Sequence, residues 1–176
     1  MARRTLRALD SRIIKRTIQA GAKKGVTNIS TKEMSTILGI TEPTIYVHYG
    51  TKDNLLLEAF NECGKSIRAC EDLALETFEK SEKSEKDVIA LLDELISLND
   101  VGAEKIAYAL DYVRIGRYKI SETDKVFYRK VLLSLGGKEE NLDCFFYVLA
   151  ALRGCEIRNL VARPKDVYKA LVEYIK

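Results

Sequence analysis

Three helix starts follow one another within residues 30–56, STKEMSTILGITEPTIYVHYGTKDNLL. Ser30 stands three residues before Glu33, the spacing at which hydroxyl and carboxylate satisfy each other's backbone N–H groups at a helix N-terminus. Thr41 precedes Glu42 and Pro43. Proline is tolerated in a first turn because its missing N–H would have no intrahelical partner there, and the acid suits the positive end of the helix dipole. Thr51 precedes Lys52 and a leucine run. Gly39 and Gly50 fall where the first two helices must stop. The spacing therefore predicts two short helices, Thr31–Leu38 and Glu42–Tyr49, joined through Gly39-Ile40-Thr41. Met34, Ile37, Leu38 and Ile45 form their inner faces.

The rest of the chain reads as helix too. Prolines number two in 176 residues, and β-branched residues seldom alternate with polar ones. Leu6, Leu9, Ile13, Ile14 and Ile18 give a first helix ending at Gly25, with Lys23 and Lys24 at its negative end. A long fourth helix is expected over 52–80, then a charged turn (79–87) in which Ser84 can cap the next helix. Further helices are predicted over 88–98, 103–118, 123–135 and 139–162, with Pro164 opening the last. The fold class expected is all-α: a three-helix helix-turn-helix bundle over residues 1–51, then a helical domain over 52–176, with about nine helices.

Charge divides the chain the same way. Residues 1–52 carry ten Lys/Arg against three acids, net +7, and the remainder carries 19 against 23, net −4. A basic front on an acidic back points to a polyanionic partner for the front. The longest apolar run, Cys144 to Leu152, is far shorter than the ~20 residues of a membrane-spanning helix. The N-terminus lacks the apolar core of a secretion signal, so a cytoplasmic location with no membrane contact is expected. Cys63, Cys70, Cys144 and Cys155 form no metal-type spacing, and His48 is the only histidine. No metal and no cofactor are expected. Packing is the plain role for the cysteines, a redox sensor the alternative.

A helix-turn-helix places its second helix in the DNA major groove. Threonine and tyrosine hydroxyls donate to phosphates or base edges, and the Thr44 methyl and Pro43 ring suit a thymine methyl. The ordered string from Ser30 to Leu56 resembles the DNA-binding signature of the tetracycline-repressor-like (TetR) family. That resemblance implies DNA contacts from Thr41, Glu42, Pro43, Thr44, Tyr46, His48 and Lys52, with Thr31 and Lys32 on phosphate. It covers about the first third of the chain; beyond that the likeness is one of architecture. Gly21 departs from it, standing where the family usually has an aromatic that packs the bundle. Arg3, Arg4 and Arg7 form either a disordered tail or an arm that tracks phosphates.

Around Cys144 to Leu152 the predicted helix is apolar nearly all round and needs cover on more than one side. A second copy of the chain, meeting it together with the last helix in a four-helix interface, is favoured over burial inside a monomer. The expected function is a homodimeric DNA-binding transcriptional regulator, a repressor, reading a near-palindromic double-stranded operator and released by a small-molecule effector. Phe78, Tyr108, Tyr112, Cys144 and Tyr147 are the candidate pocket walls. The rival readings are a ligand-independent DNA-bound scaffold whose C-terminal half docks another protein, and an enzyme. For the enzyme no nucleophile–base pair, metal set or phosphate loop is found.

Overall fold

The computed structural model describes the backbone of residues 2–116, 121–157 and 165–176, with side chains for 10–116, 121–153 and 167–176. The side chains of Arg3, Arg4, Arg7 and Cys155 lie outside these residues, as do Pro164 and the ends expected at 118 and 162. Among the described residues there are nine α-helices and no strand: α1 (Ala2–Lys24), α2 (Thr31–Leu38), α3 (Glu42–Tyr49), α4 (Lys52–Glu79), α5 (Glu85–Ser97), α6 (Ala103–Arg114), α7 (Glu122–Ser134), α8 (Leu142–Ile157) and α9 (Lys165–Ile175).

The caps account for most boundaries. Ser30–Glu33 and Ser84–Asp87 are reciprocal capping boxes at α2 and α5. A third, Ser121–Asp124, opens α7 slightly earlier than the apolar spacing suggests. Likewise α5 begins at Glu85, ahead of Val88, because the box at Ser84 organises the first turn. The stretch expected to start α8 forms a separate 3₁₀ turn, Glu139–Asn141.

The chain divides into two compact units. The first comprises Met1–Ile67 and Gly102–Tyr118, so α6 packs with α1–α3 and the first part of α4. Its core includes Ile13, Val26, Met34, Ile45, Leu55 and Tyr108. In α1, Gly21 lies against the Tyr108 ring of α6. Asp111 of α6 accepts a hydrogen bond from the Val26 N–H (2.7 Å) just after α1. The space beside Gly21 is thus filled by an aromatic ring from α6.

The second unit comprises Arg68–Val101 and Lys119–Lys176. Its core includes Leu75, Leu92, Leu95, Val131, Phe145 and Leu149, with α5 packed on α8 and α9. A buried ionic cluster runs through it. Arg153 pairs with Glu71 at 2.6 Å, donates to the Leu95 carbonyl and donates to the Tyr128 hydroxyl, which in turn donates to Glu71. Arg68 lies over the Phe127 ring, 4.2 Å from its centre, and pairs with Asp124 and with Glu71. A buried carboxylate needs such partners. Arg68 stands one turn before Glu71 on α4, but Arg153 and Tyr128 are far from it in sequence, and no local pattern announces them. None of the described helices is long and apolar enough to cross a membrane.

Candidate nucleic-acid interface

The α2–α3 segment is assembled by local bonds. Gly39 adopts the left-handed conformation (φ 69°, ψ 36°) and donates its N–H to the carbonyls of Ser35 and Thr36, ending α2. Arg16 of α1 donates to the Leu38 carbonyl at 3.1 Å, neutralising the same helix end. Two residues past Gly39, Thr41 caps α3 by accepting from the Thr44 N–H, and the two hydroxyls lie 2.8 Å apart. At the other end of α2, Ser30 N–H and hydroxyl hold the Glu33 carboxyl below its usual range, with Lys24 adding to the effect.

Helical spacing then sorts the side chains of α3. Ile45 is fully buried, while Pro43, Tyr46 and Val47 are exposed. These three stand at i, i+3 and i+4 and form one outward stripe. Glu42 and Thr44 flank it, half-buried. Val47, 82% exposed, is the most exposed large apolar side chain among the described residues. Sequence reasoning missed it, although its place one turn after Pro43 puts it on the outward stripe. Thr31, half-buried, and Lys32, exposed, sit in the first turn of α2.

His48 and Tyr49 lie on the inward side. The His48 Nδ1 is 3.5 Å from the Asp10 carboxylate of α1, and the Tyr49 hydroxyl donates to the same oxygen at 3.5 Å. Burial, with Asp10 adding to it, pushes the Tyr49 hydroxyl up to about 12. The Lys52 ammonium donates to the Ile29 carbonyl at 2.6 Å, tying the start of α4 to the residue before the α2 cap. An ammonium has three donors, so this tie leaves others for a phosphate.

The fold is shared with solved regulators. PfmR, a TetR family transcriptional regulator from Thermus thermophilus, aligns at TM-score 0.61 and 15% identity over 93% of each chain. A TetR family regulator from Marinobacter aquaeolei VT8 aligns at 0.62 and 15% identity, over 98% of this chain and 95% of that one. A TetR-like regulator from Rhodococcus sp. RHA1 aligns at 0.61 and 10% identity, over 94% and 93%. This is the TetR-family fold. No protein-family model and no curated protein matches the sequence.

Within that TetR-family fold the candidate pocket residues are dispersed. Tyr108 and Tyr112 are buried in the first unit, where the Tyr108 hydroxyl donates to the Leu56 carbonyl and Tyr112 stacks on Phe60 at 4.5 Å. In the second unit Phe78 lines a groove between α4 and α5. Cys144 and Tyr147 belong to the outer part of α8, with Tyr147 65% exposed. Core packing accounts for the two buried tyrosines. Exposed Asp143, Tyr147 and Ala151 follow one another at four-residue intervals on α8, and Ala170 and Tyr174 are exposed on α9.

Proposed function

We propose that the chain is a DNA-binding transcriptional repressor that reads a near-palindromic operator as a homodimer and is released by a small-molecule effector. The observation carrying this reading is α3 itself. It is anchored by buried Ile45 and leaves Pro43, Tyr46 and Val47 outward within a basic segment. An exposed helix that wastes apolar and hydroxyl groups on solvent makes physical sense when its partner is a groove lined by base edges and methyl groups.

In this reading residues 1–51 are the DNA-binding part and residues 52–176 the regulatory and dimerising part. Thr41, Glu42, Pro43, Thr44 and Tyr46 face the bases or flanking phosphates. Thr31, Lys32 and Lys52 contact phosphate. His48 bonds the backbone of the DNA through the ring nitrogen not turned to Asp10. Glu42 accepts from a cytosine amino group and repels phosphate, sharpening specificity more than affinity. The exposed stripes of α8 and α9 meet their counterparts in a second copy, giving half-sites about one helical turn, ~34 Å, or more apart.

Selection of bound sites from random duplex DNA tests the reading. Enrichment of a two-fold symmetric motif is the expected result. Enrichment of nothing, or of a single unsymmetrical site bound by one chain, contradicts it.

A further inference from the structure

In the second unit α4 and α5 are separated by a groove of about 310 Å³, near the lower end of small-molecule pockets. Leu73, Ala74 and Phe78 of α4 and Leu91 of α5 make its apolar walls. Ala74, Phe78 and Leu91 are buried, whereas Leu73 is 61% exposed at the mouth.

Its charge is one-sided. Asp87, Glu94 and Asp100 line the groove, and among the described residues no lysine or arginine does. Residues 53–176 carry net −4, and the groove lies within that acidic part of the chain. Glu94 is held in place on both oxygens, by the Cys70 thiol at 3.1 Å and the Asn99 amide at 3.3 Å. Neither donor is a cation. Burial, with Glu94 next, pushes the Cys70 thiol up to about 11, so at neutral pH it stays a thiol and adds no charge. Asp87 is already taken up by the Ser84 N–H and hydroxyl at the α5 cap, with Lys86 beside it, which leaves Glu94 and Asp100 as the charge offered to a ligand. Apolar walls beside these two carboxylates are complementary to one kind of molecule: the walls reward removal of carbon from water, and the carboxylates reward positive charge.

We propose that this groove binds a small organic cation with an apolar body, an ammonium or amidinium carried on a ring or short alkyl group. The proposal gives a chemical class and a place to the effector, and to that extent rests on the regulatory reading. Binding is measured on the free protein without DNA, so either idea can fail alone.

The probe is benzyltrimethylammonium, titrated into the full chain by calorimetry, with amide NMR shifts locating the site. Expected are shifts at residues 70–78 and 87–94, at least tenfold weaker binding of neutral benzyl alcohol, and weakening with added salt. Glu94→Gln, which keeps an acceptor for Cys70, and Asp100→Asn, on an exposed turn, should each raise Kd about three- to tenfold. Failure of the cation to bind at millimolar concentration overturns the proposal. So do equal affinity for benzyl alcohol, shifts centred elsewhere, or unchanged Kd in both variants.

Discussion

The edge of the Tyr108 ring occupies the space in which a side chain on Gly21 would begin. A Cβ on Gly21 would come within 2.4 Å of Tyr108 Cε2 and 2.5 Å of Cδ2. The ring has nowhere to retreat: Tyr108 is fully buried, and its hydroxyl donates to the Leu56 carbonyl at 3.0 Å. Glycine inside a helix costs about 1 kcal/mol relative to alanine, and here that cost admits an aromatic from a helix distant in sequence.

Gly21→Ala should therefore destabilise the protein, by about 1–3 kcal/mol, despite alanine's better helix propensity. Replacing Tyr108 by Leu frees the space. In the Tyr108→Leu background Gly21→Ala should be neutral or stabilising, a coupling read from urea unfolding of the four proteins. Equal penalties in both backgrounds would mean that the ring does not set the requirement.

Lys52→Ala should act twice. Loss of the ammonium leaves the Ile29 carbonyl without this donor, at a cost of roughly 1.5–3 kcal/mol for a charged hydrogen bond. It should also weaken DNA binding about evenly across sequences and lower the slope of log K against log salt by about one. A stability loss with an unaltered salt slope assigns Lys52 to the tie alone.

Val47 touches little in the free protein, so Val47→Ser should leave unfolding within about 0.5 kcal/mol of the parent. The preferred operators should change, with loss of preference for thymine at one position of each half-site. Glu42→Gln and Thr44→Val should shift preference at other positions. A binding-site selection that returns the parental motif for all three excludes direct readout by this stripe.

Alkaline pH should destabilise the first unit. Burial pushes the Cys63 thiol from 9.0 up to about 12, and the Tyr49 hydroxyl from 10.0 up to about 12. Both groups are neutral when protonated, so the unfolded chain releases their protons first. Their contribution is full below about pH 9, declines as pH rises, and is gone by about pH 12. Cys63→Ala should flatten the decline of the urea midpoint above about pH 9, whatever its effect at neutral pH. An unchanged slope would show that this thiol titrates alike folded and unfolded.

The features that can be read from residue order alone are local ones. Ser30 and Glu33, Thr41 and Thr44, and Gly39 after Leu38 act within one helical turn, so the short helices α2 and α3 are legible as spacing. Even a missed start, Ser121–Asp124, carries the same three-residue signature and lay open to the same reading. Ile45 inward against Pro43 outward agrees with a helical period of about 3.6. Tertiary structure decided the rest. That Tyr108 fills the space beside Gly21, that His48 turns to Asp10, that Lys52 holds the Ile29 carbonyl and that Glu71 is neutralised by Arg153 are all pairings between distant positions. Periodicity places a residue on a face of its helix. Only the packing of one helix on another says which side chain, from anywhere in the chain, meets it there.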